Sequence, residues 1–191
     1  EYGPSEIREL LDSQGVSYTE LSNDDAVINM TVELMQEHKV IGWFQGGFEY
    51  GPRALGNRSI LADPREDGMR DLVNRKVKFR ESFRPFAPSV VAEKMEEFFV
   101  LPDASRHYPA RFMLLVVDVK NDKRDHVPAV THVDGTTRPQ SVFPDTNDRY
   151  HRLIHRFGEA TGVPVVLNTS FNLNGEPIVN TPADALSTFM R

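Results

Sequence analysis

Short apolar runs alternate with helix-forming segments along the chain, and this alternation constrains the fold more than any other feature of the sequence. A chain of 191 residues can bury one substantial core, enough for one large domain or two small ones. Strands that alternate with helices are typical of proteins whose helices pack on a sheet. The sequence therefore predicts an α/β or α+β protein with one main core.

The apolar runs are the predicted strands. They cover residues 40–44, 86–91, 111–119 and 163–168. Because residues 111–119 are rich in aliphatic and β-branched side chains, we expect them to form a central strand covered on both faces. Residues 129–134 and 138–143 are expected to pair across Gly135 as a hairpin or a looser strand-turn-strand.

Hydrophobic periodicity and capping residues predict five helices. They cover residues 5–13, 24–38, 66–73, 148–161 and 182–191. The second is expected to bury one face, formed by Val27, Met30, Leu34 and Met35. In the fourth, we expect Leu153, Ile154 and Phe157 to face inward and Gly162 to end the helix.

The charge is acidic overall but unevenly distributed. A net charge of −6 argues against a general binder of nucleic acid or membrane surfaces. Residues 53–84, however, contain nine Lys or Arg against five acids, which favours a specific small anion. No apolar run is long enough to cross a bilayer, and the absence of cysteine fits a reducing cytoplasm.

Two basic segments have the composition of anion sites. In residues 49–63, glycines allow close backbone approach, and Arg53 and Arg58 offer planar donors for phosphate; the alternative is a surface loop with solvated arginines. In KFRESFRPFAP, residues 78–88, cations alternate with phenylalanines. If this segment is extended, Lys78 and Arg80 point to one face, and Arg84 is held between Phe83 and a proline; the alternative is a strand edge with snorkelling cations.

Two polar segments offer further ligands. Ser170 and Asn172, two residues apart after an apolar strand, suit phosphate or ribose, whereas the alternative is an Asx-rich turn. His132 and Asp134 could bind a metal or form a base with its orienting carboxylate, and the alternative is a turn with a hydrogen-bonded histidine. Arg138 follows in the same segment.

Four long motifs occur together in one order: GWFQGGFEYGPRALGNRSILADPR, KFRESFRPFAPSV, PAVTHVDGTTRPQSV and TGVPVVLNTSFNLNGEPIV. With them the chain resembles, over nearly its whole length, the C-terminal region of the NodU/CmcH-type O-carbamoyltransferases. The resemblance implies a YrdC-like fold, a twisted mixed β-sheet flanked by helices. It also implies a division into residues 1–40, a helical lead-in from a preceding module, and residues 41–191, the C-terminal YrdC-like domain of a longer protein.

The resemblance further implies a reaction. A YrdC-like domain of this family makes carbamoyl-adenylate from ATP, accompanied by Mg²⁺, and carbamoyl phosphate. A separate N-terminal Kae1-like module holds the family's metal and the acceptor hydroxyl. This chain is then expected to retain the adenylating half-reaction and to have no metal site of its own.

The family's Lys-x-Arg and Ser-x-Asn pairs fall on residues 78–80 and 170–172. The implied catalytic residues are Lys78, Arg80 and Arg84. The implied nucleotide or carbamoyl phosphate ligands are Arg53, Arg58, Ser170, Asn172, His132 and Arg138. Two other classes of function stay open: a non-catalytic nucleotide- or RNA-binding YrdC-like module, and a structural piece whose arginines contact the other domain.

Overall fold

The computed structural model describes residues 1–191 as seven strands and six α-helices joined by shorter helical turns. The strands are β1 (Ile41–Phe44), β2 (Arg58–Ala62), β3 (Ala87–Val91), β4 (Val117–Asp118), β5 (Thr136–Thr137), β6 (Gln140–Val142) and β7 (Val165–Ser170). The helices are α1 (Pro4–Ser13), α2 (Asp24–Gln36), α3 (Asp67–Leu72), α4 (Met95–Phe98), α5 (Asp148–Thr161) and α6 (Pro182–Phe189). The expected fold class, a mixed sheet flanked by helices, is confirmed.

The main sheet has the strand order β1-β2-β7-β3-β6. All its neighbouring strands are antiparallel except β3 and β6, which run parallel. The central strand β7 overlaps the strand predicted at residues 163–168 but begins and ends two residues later. Val165, Val166 and Leu167 are fully buried in it. Strand β2, which lies beside it, was not predicted, because its first residues belong to a glycine-rich segment that reads as irregular.

The sheet is covered on both faces. Helices α2 and α5 pack on one face, where Met35, Phe157 and Val166 belong to one buried cluster. On the other face, α3 and α4 contribute Met69 and Phe98 to the larger cluster. The core is therefore a single sheet between two layers of helical segments, and α6 closes the β1–β2 end with a smaller cluster around Ile60, Phe171 and Ala185.

The helix over residues 148–161 forms as predicted. Asn147 caps its start by accepting the amide of Tyr150, and Gly162 ends it with a left-handed φ of 78°. Leu153, Ile154 and Phe157 are fully buried, as expected.

The buried face of α2 differs from the prediction. Met35 is buried as expected, but Ile28 and Val32 complete the face, whereas Met30 and Leu34 are exposed. The periodicity allows two adjacent apolar stripes on this helix, and packing against α5 selects one of them.

The predicted central strand over residues 111–119 is wrong. Tyr108–Phe112 form a short 3-10 helix, and Met113 takes a left-handed φ of 55°, which interrupts any extended run. Only β4 is a strand, and it pairs with β5 outside the main sheet. Leu114 and Val116 are exposed, so the apolar character of this run does not reflect burial on two faces.

The predicted pairing across Gly135 is also wrong. A tight turn does occur there, since the amide of Gly135 donates to the carbonyl of His132 at 2.9 Å. Residues 129–134 and 138–143 do not pair as strands, however. The contacts across the turn stop at His132–Thr136 and Val130–Thr137, β5 pairs with β4, and β6 joins β3 in the main sheet. Tertiary pairing with β3 takes the second segment away from its sequence neighbour.

Candidate functional site

The topology of the main sheet brings the predicted site residues to one end. Strand β7 is antiparallel to β2 and β3, and Ser170 at its end pairs with Ser59 near the start of β2. Because β3 and β6 are parallel, both begin at this same end. The loops before β2, β3 and β6 therefore lie beside the loop that follows β7, although they are far apart in the sequence.

Lys78 joins the two polar pairs predicted from the sequence. Its ammonium group donates to the backbone oxygen of Ser170 at 2.5 Å and to Asn172 Oδ1 at 2.6 Å. It also lies 3.3 Å from Ser170 Oγ, which in turn donates to Asn172 Oδ1 at 2.6 Å. The Lys-x-Arg and Ser-x-Asn segments are thus in direct contact.

Burial changes the protonation of Lys78. The residue is only 4% exposed, and its burial, with a smaller contribution from the charge of Arg80, lowers the pKa of the ammonium group to about 7. Burial acts in this direction because it penalises the charged form of a lysine. Lys78 therefore exchanges its proton near neutral pH, where an exposed lysine stays charged.

The backbone around Lys78 is a turn, so the condition under which Lys78 and Arg80 would point to one face, an extended segment, is not met. Val73–Val77 form a π-helical turn directly after α3. Phe79 then takes a positive φ of 46°, and the amide of Arg80 donates back to the carbonyl of Asn74 at 3.0 Å. Lys78 and Arg80 consequently take different partners instead of alternating along a strand.

Asn74 holds the guanidinium of Arg80 and was not predicted from the sequence. This asparagine is fully buried, and its Oδ1 accepts from Arg80 Nε at 2.7 Å. The same guanidinium lies over the ring of Phe86, 4.8 Å from the centroid. Nothing in the sequence pattern distinguishes this asparagine from a solvent-facing one, because only the π-helical turn directs it inward.

Arg80 lines an open cavity of about 410 Å³. The other lining residues are Arg75, Phe79, Glu81, Arg84 and Asn174. Three arginines face one carboxylate here, and that carboxylate, Glu81, pairs with the half-exposed Arg84 at 3.0 Å. The excess of positive charge suits an anion with several oxygens, such as a phosphate group. Arg75 is a second cavity residue that was not predicted.

Arg53 and Arg138 are close enough for their charges to interact, though they come from different loops. Burial lowers the pKa of Arg138, and the charge of the exposed Arg53 lowers it further. Arg138 Nε is buried and has no hydrogen-bond partner. An anion placed between the two guanidinium groups would relieve both the repulsion and the missing hydrogen bond.

His132 and Asp134 do not form a base with its orienting carboxylate. Asp134 Oδ1 instead accepts from the amide and the hydroxyl of Thr136, at 2.9 and 2.7 Å, which is the predicted alternative of a turn. Burial lowers the pKa of His132; the charge of Asp134 opposes this shift in part, and the charge of Arg138 adds to it. The structure contains no group of three or more His, Asp or Glu side chains arranged to hold a metal ion.

Arg58 lies at the same end of the sheet but does not face the cavity. Its guanidinium is fully buried over the ring of Phe44, 3.7 Å from the centroid. It donates to the backbone carbonyls of Gln45 at 2.6 Å and of Asn180 at 3.3 Å. A phosphate would have to displace these carbonyls, so the role of Arg58 as a ligand stays a prediction. In the structure its guanidinium connects the loop after β1 to the loop before α6.

A buried polar network that was not predicted fastens the Arg53 loop to the sheet. Asn168 Nδ2 donates to Ser89 Oγ at 2.9 Å, and Ser89 Oγ donates to Gln140 Oε1 at 2.7 Å. Gln140 Nε2 then donates to the carbonyl of Leu55 at 2.9 Å. The sequence shows polar residues in these segments but not that β3, β6 and β7 are neighbours, so the network could not be predicted from it.

The family model described as carbamoyltransferase C-terminus matches residues 32–191. The chain belongs to this family. It is 51% identical over 173 residues to nodulation protein NolNO of Sinorhizobium fredii, a match that covers 91% of this chain and 25% of that protein. It is 40% identical over 146 residues to 3'-hydroxymethylcephem-O-carbamoyltransferase of Streptomyces clavuligerus, covering 76% of this chain and 26% of that enzyme. The resemblance inferred from the motifs is confirmed.

The carbamoyltransferase C-terminal chain spans about a quarter to a third of the length of the curated relatives it matches. Two solved structures share its fold. Full-length HypF in its phosphate- and nucleotide-bound form aligns with a TM-score of 0.55 at 17% identity, over 85% of this chain and 23% of HypF. The H234A/Y235A variant of P. abyssi Sua5 aligns with a TM-score of 0.59 at 13% identity, over 90% of this chain and 48% of Sua5. The predicted YrdC-like fold is confirmed.

Proposed function

We propose that this carbamoyltransferase C-terminal domain activates a carbamoyl group by adenylation, using ATP with Mg²⁺ and carbamoyl phosphate. The observation that carries the proposal is the contact of Lys78 with Ser170 and Asn172 beside a cavity lined by three arginines. Family membership supports carbamoyl transfer as the overall reaction. The phosphate- and nucleotide-bound form of HypF, which shares the fold, is consistent with this choice of ligands.

The proposed chemistry needs positive charge at fixed positions. Carbamate, formed with phosphate when carbamoyl phosphate takes up water, attacks the α-phosphorus of ATP through one oxygen. A new P–O bond forms, the bond to the β-phosphate oxygen breaks, and pyrophosphate leaves. Negative charge grows on the phosphoryl oxygens during this step, and preorganised cations stabilise it best where water is partly excluded.

We assign this stabilisation to Lys78, Arg80 and Arg84. Arg80 and Arg84 line the cavity, and Lys78 contacts Ser170 and Asn172. Ser170 and Asn172 would hold phosphate or ribose. The second basic group would hold the remaining phosphates or carbamoyl phosphate; its members are Arg53, Arg138 and His132.

We further propose that carbamoyl-adenylate passes to a hydroxyl in a separate Kae1-like module, which supplies the metal site. The share of the relatives' length that this chain covers leaves room for such a module. None of the helices is both long and apolar enough to cross a membrane. We propose that the reaction takes place in the cytoplasm, a reducing compartment that the cysteine-free composition fits.

Replacing Arg80 tests the proposed function. In the complete protein, Arg80→Ala should reduce pyrophosphate release from ATP and carbamoyl phosphate by roughly 30- to 1000-fold, because one charge-assisted contact in the site is lost. Arg156→Ala is the matched control, since Arg156 is half-exposed on α5 and pairs only with Glu159. Wild-type rates in a folded Arg80→Ala protein would refute the assignment.

A further inference from the structure

Asn74 is an unusual residue for its position. It is fully buried in the π-helical turn Val73–Val77, next to the equally buried Val73 of the large core cluster. A buried amide is costly unless its donors and acceptor are bonded. The partners that Asn74 takes all belong to the segment that follows it, residues 80–84.

The carbonyl oxygen of the Asn74 side chain fixes the direction of the Arg80 guanidinium. Asn74 Oδ1 accepts from Arg80 Nε at 2.7 Å, and the backbone carbonyl of Asn74 accepts the Arg80 amide at 3.0 Å. Neither terminal nitrogen of the Arg80 guanidinium is bonded to a protein acceptor. The arginine is therefore anchored through its inner nitrogen while its outer edge, which carries the paired donors, stays available to a ligand in the cavity.

Asn74 holds Arg80 through a neutral amide, whereas another arginine of the chain is held by a carboxylate. Arg65 is held by Asp63, whose carboxylate accepts from Arg65 Nε at 3.0 Å and pairs with Arg65 Nη2 at 2.6 Å. The negative charge of Asp63 offsets the positive charge of Arg65. An asparagine in the same role fixes the direction of Arg80 without adding a negative charge of its own, so the only carboxylate that lines the cavity is that of Glu81.

The NH₂ group of the same side chain binds the backbone of the loop that carries Arg84. Asn74 Nδ2 donates to the carbonyl of Ser82 at 3.1 Å and to the carbonyl of Arg84 at 2.9 Å. One buried side chain thus sets the positions of two of the three arginines that line the cavity.

We propose that Asn74 is a positioning residue that directs the outer edge of Arg80, and with it the loop that carries Arg84, toward the phosphates of the nucleotide. The inference rests on the proposed function, because it takes the cavity to be a phosphate site. It adds a residue that does not touch substrate but decides how strongly the arginines bind it.

A double-mutant cycle tests the proposal in the complete protein. ATP affinity, measured by titration calorimetry, and the KM for ATP in the pyrophosphate-release assay are compared for Asn74→Ala, Arg80→Ala and the double variant. Asn74→Ala should weaken ATP binding by roughly 10-fold, in the range expected for a hydrogen bond to a charged group. In the Arg80→Ala background the same change should cost only the smaller part that acts through the Arg84 loop, less than about threefold, since coupled residues give non-additive losses.

Controls separate the possible outcomes. Asn121→Ala, an exposed asparagine of a surface turn, should leave ATP affinity unchanged. If thermal unfolding shows that Asn74→Ala does not fold, Asn74→Ser, whose hydroxyl can accept one hydrogen bond, takes its place in the cycle. Losses that multiply in the double variant, or an unchanged ATP affinity of folded Asn74→Ala, would overturn the positioning role alone. An unchanged affinity of Arg80→Ala would overturn the phosphate site as well.

Discussion

At the scale of single residues, the site contains two buried cations of different chemical character. Arg58 and Lys78 are both almost fully buried and both donate to backbone carbonyls. Burial lowers the pKa of each, but a guanidinium stays protonated over the whole physiological range. Lys78, with a pKa of about 7, is the one whose charge changes near neutral pH.

The stability of the protein should therefore depend on pH through Lys78. In the unfolded chain this lysine has its ordinary pKa of 10.5, and in the folded protein about 7, so between these values the unfolded state binds more protons. The free energy of unfolding should then rise with pH over this window, by up to about 1.4 kcal/mol per pH unit. Below pH 7 both states are protonated and the contribution of Lys78 no longer changes.

Urea denaturation of the wild type and Lys78→Met between pH 6 and 10 measures this contribution. Methionine has no titrating group, and the other ionisable residues are common to both proteins. The difference in unfolding free energy, wild type minus variant, should be flat below pH 7 and should increase above it. Parallel pH profiles over the whole range would show that Lys78 keeps its ordinary pKa in the folded protein.

At the scale of elements, the loop between β1 and β2 is shaped by glycines and by one carboxylate. Glu49 Oε1 accepts the amides of Leu55 and Asn57 at 3.0 and 2.6 Å, which closes the loop that carries Arg53. Gly56 follows with a φ of 108° and lies against the ring of Tyr150. The sequence pattern shows where this loop is, but the packing on α5 decides its path.

Gly56→Ala should destabilise the protein strongly. A Cβ atom there would lie 2.2 Å from Tyr150, whose ring is fully buried and cannot move aside. We expect a loss of roughly 3 kcal/mol or more, from the left-handed backbone and the overpacking together.

Gly51→Ala is the matched control for this prediction. Gly51 has a similar φ of 118°, but a Cβ atom added there would meet no other atom within 4 Å, so only the backbone cost of about 1–2 kcal/mol applies. Chemical denaturation of both variants compares the two costs. Equal losses would mean that the contact with Tyr150 does not constrain the loop.

At the scale of the whole molecule, the sheet needs a helical layer on each face, and α2 belongs to one of these layers. Ile28, Val32 and Met35 are buried against α5 and the sheet, whereas α1 buries no residue. The domain boundary predicted at residue 40 would separate α2 from the strands that it covers. That boundary stays a prediction, and shortened chains can test it.

Deletion of residues 1–22 should change the free energy of unfolding little, because α1 contributes no buried side chain. Deletion of residues 1–40 should remove on the order of 5 kcal/mol or more through the three buried apolar side chains of α2, which is comparable to the total stability of many domains. Circular dichroism and thermal melting of both shortened proteins measure the difference. A cooperative melt at an unchanged temperature for residues 41–191 would favour the predicted boundary.

The sequence by itself determined the class of the fold, several of its elements and the identity of the main polar pairs. The helix over residues 148–161 was predictable because an asparagine cap, an apolar stripe and a terminal glycine all agree. Lys78, Ser170 and Asn172 were recognisable from their spacing and their family motifs, and the structure brings them together.

Only the tertiary structure decided which of the remaining residues meet and in which direction they point. Apolar character made residues 111–119 look like a central strand, but a short helix and a left-handed Met113 place them outside the main sheet. In the sequence Asn74 is indistinguishable from an exposed polar residue of a helix. In the structure the π-helical turn directs its amide onto Arg80. The physical reason is the same in both cases: local propensity follows from neighbours in the chain, whereas burial and long-range hydrogen bonds follow from neighbours in space.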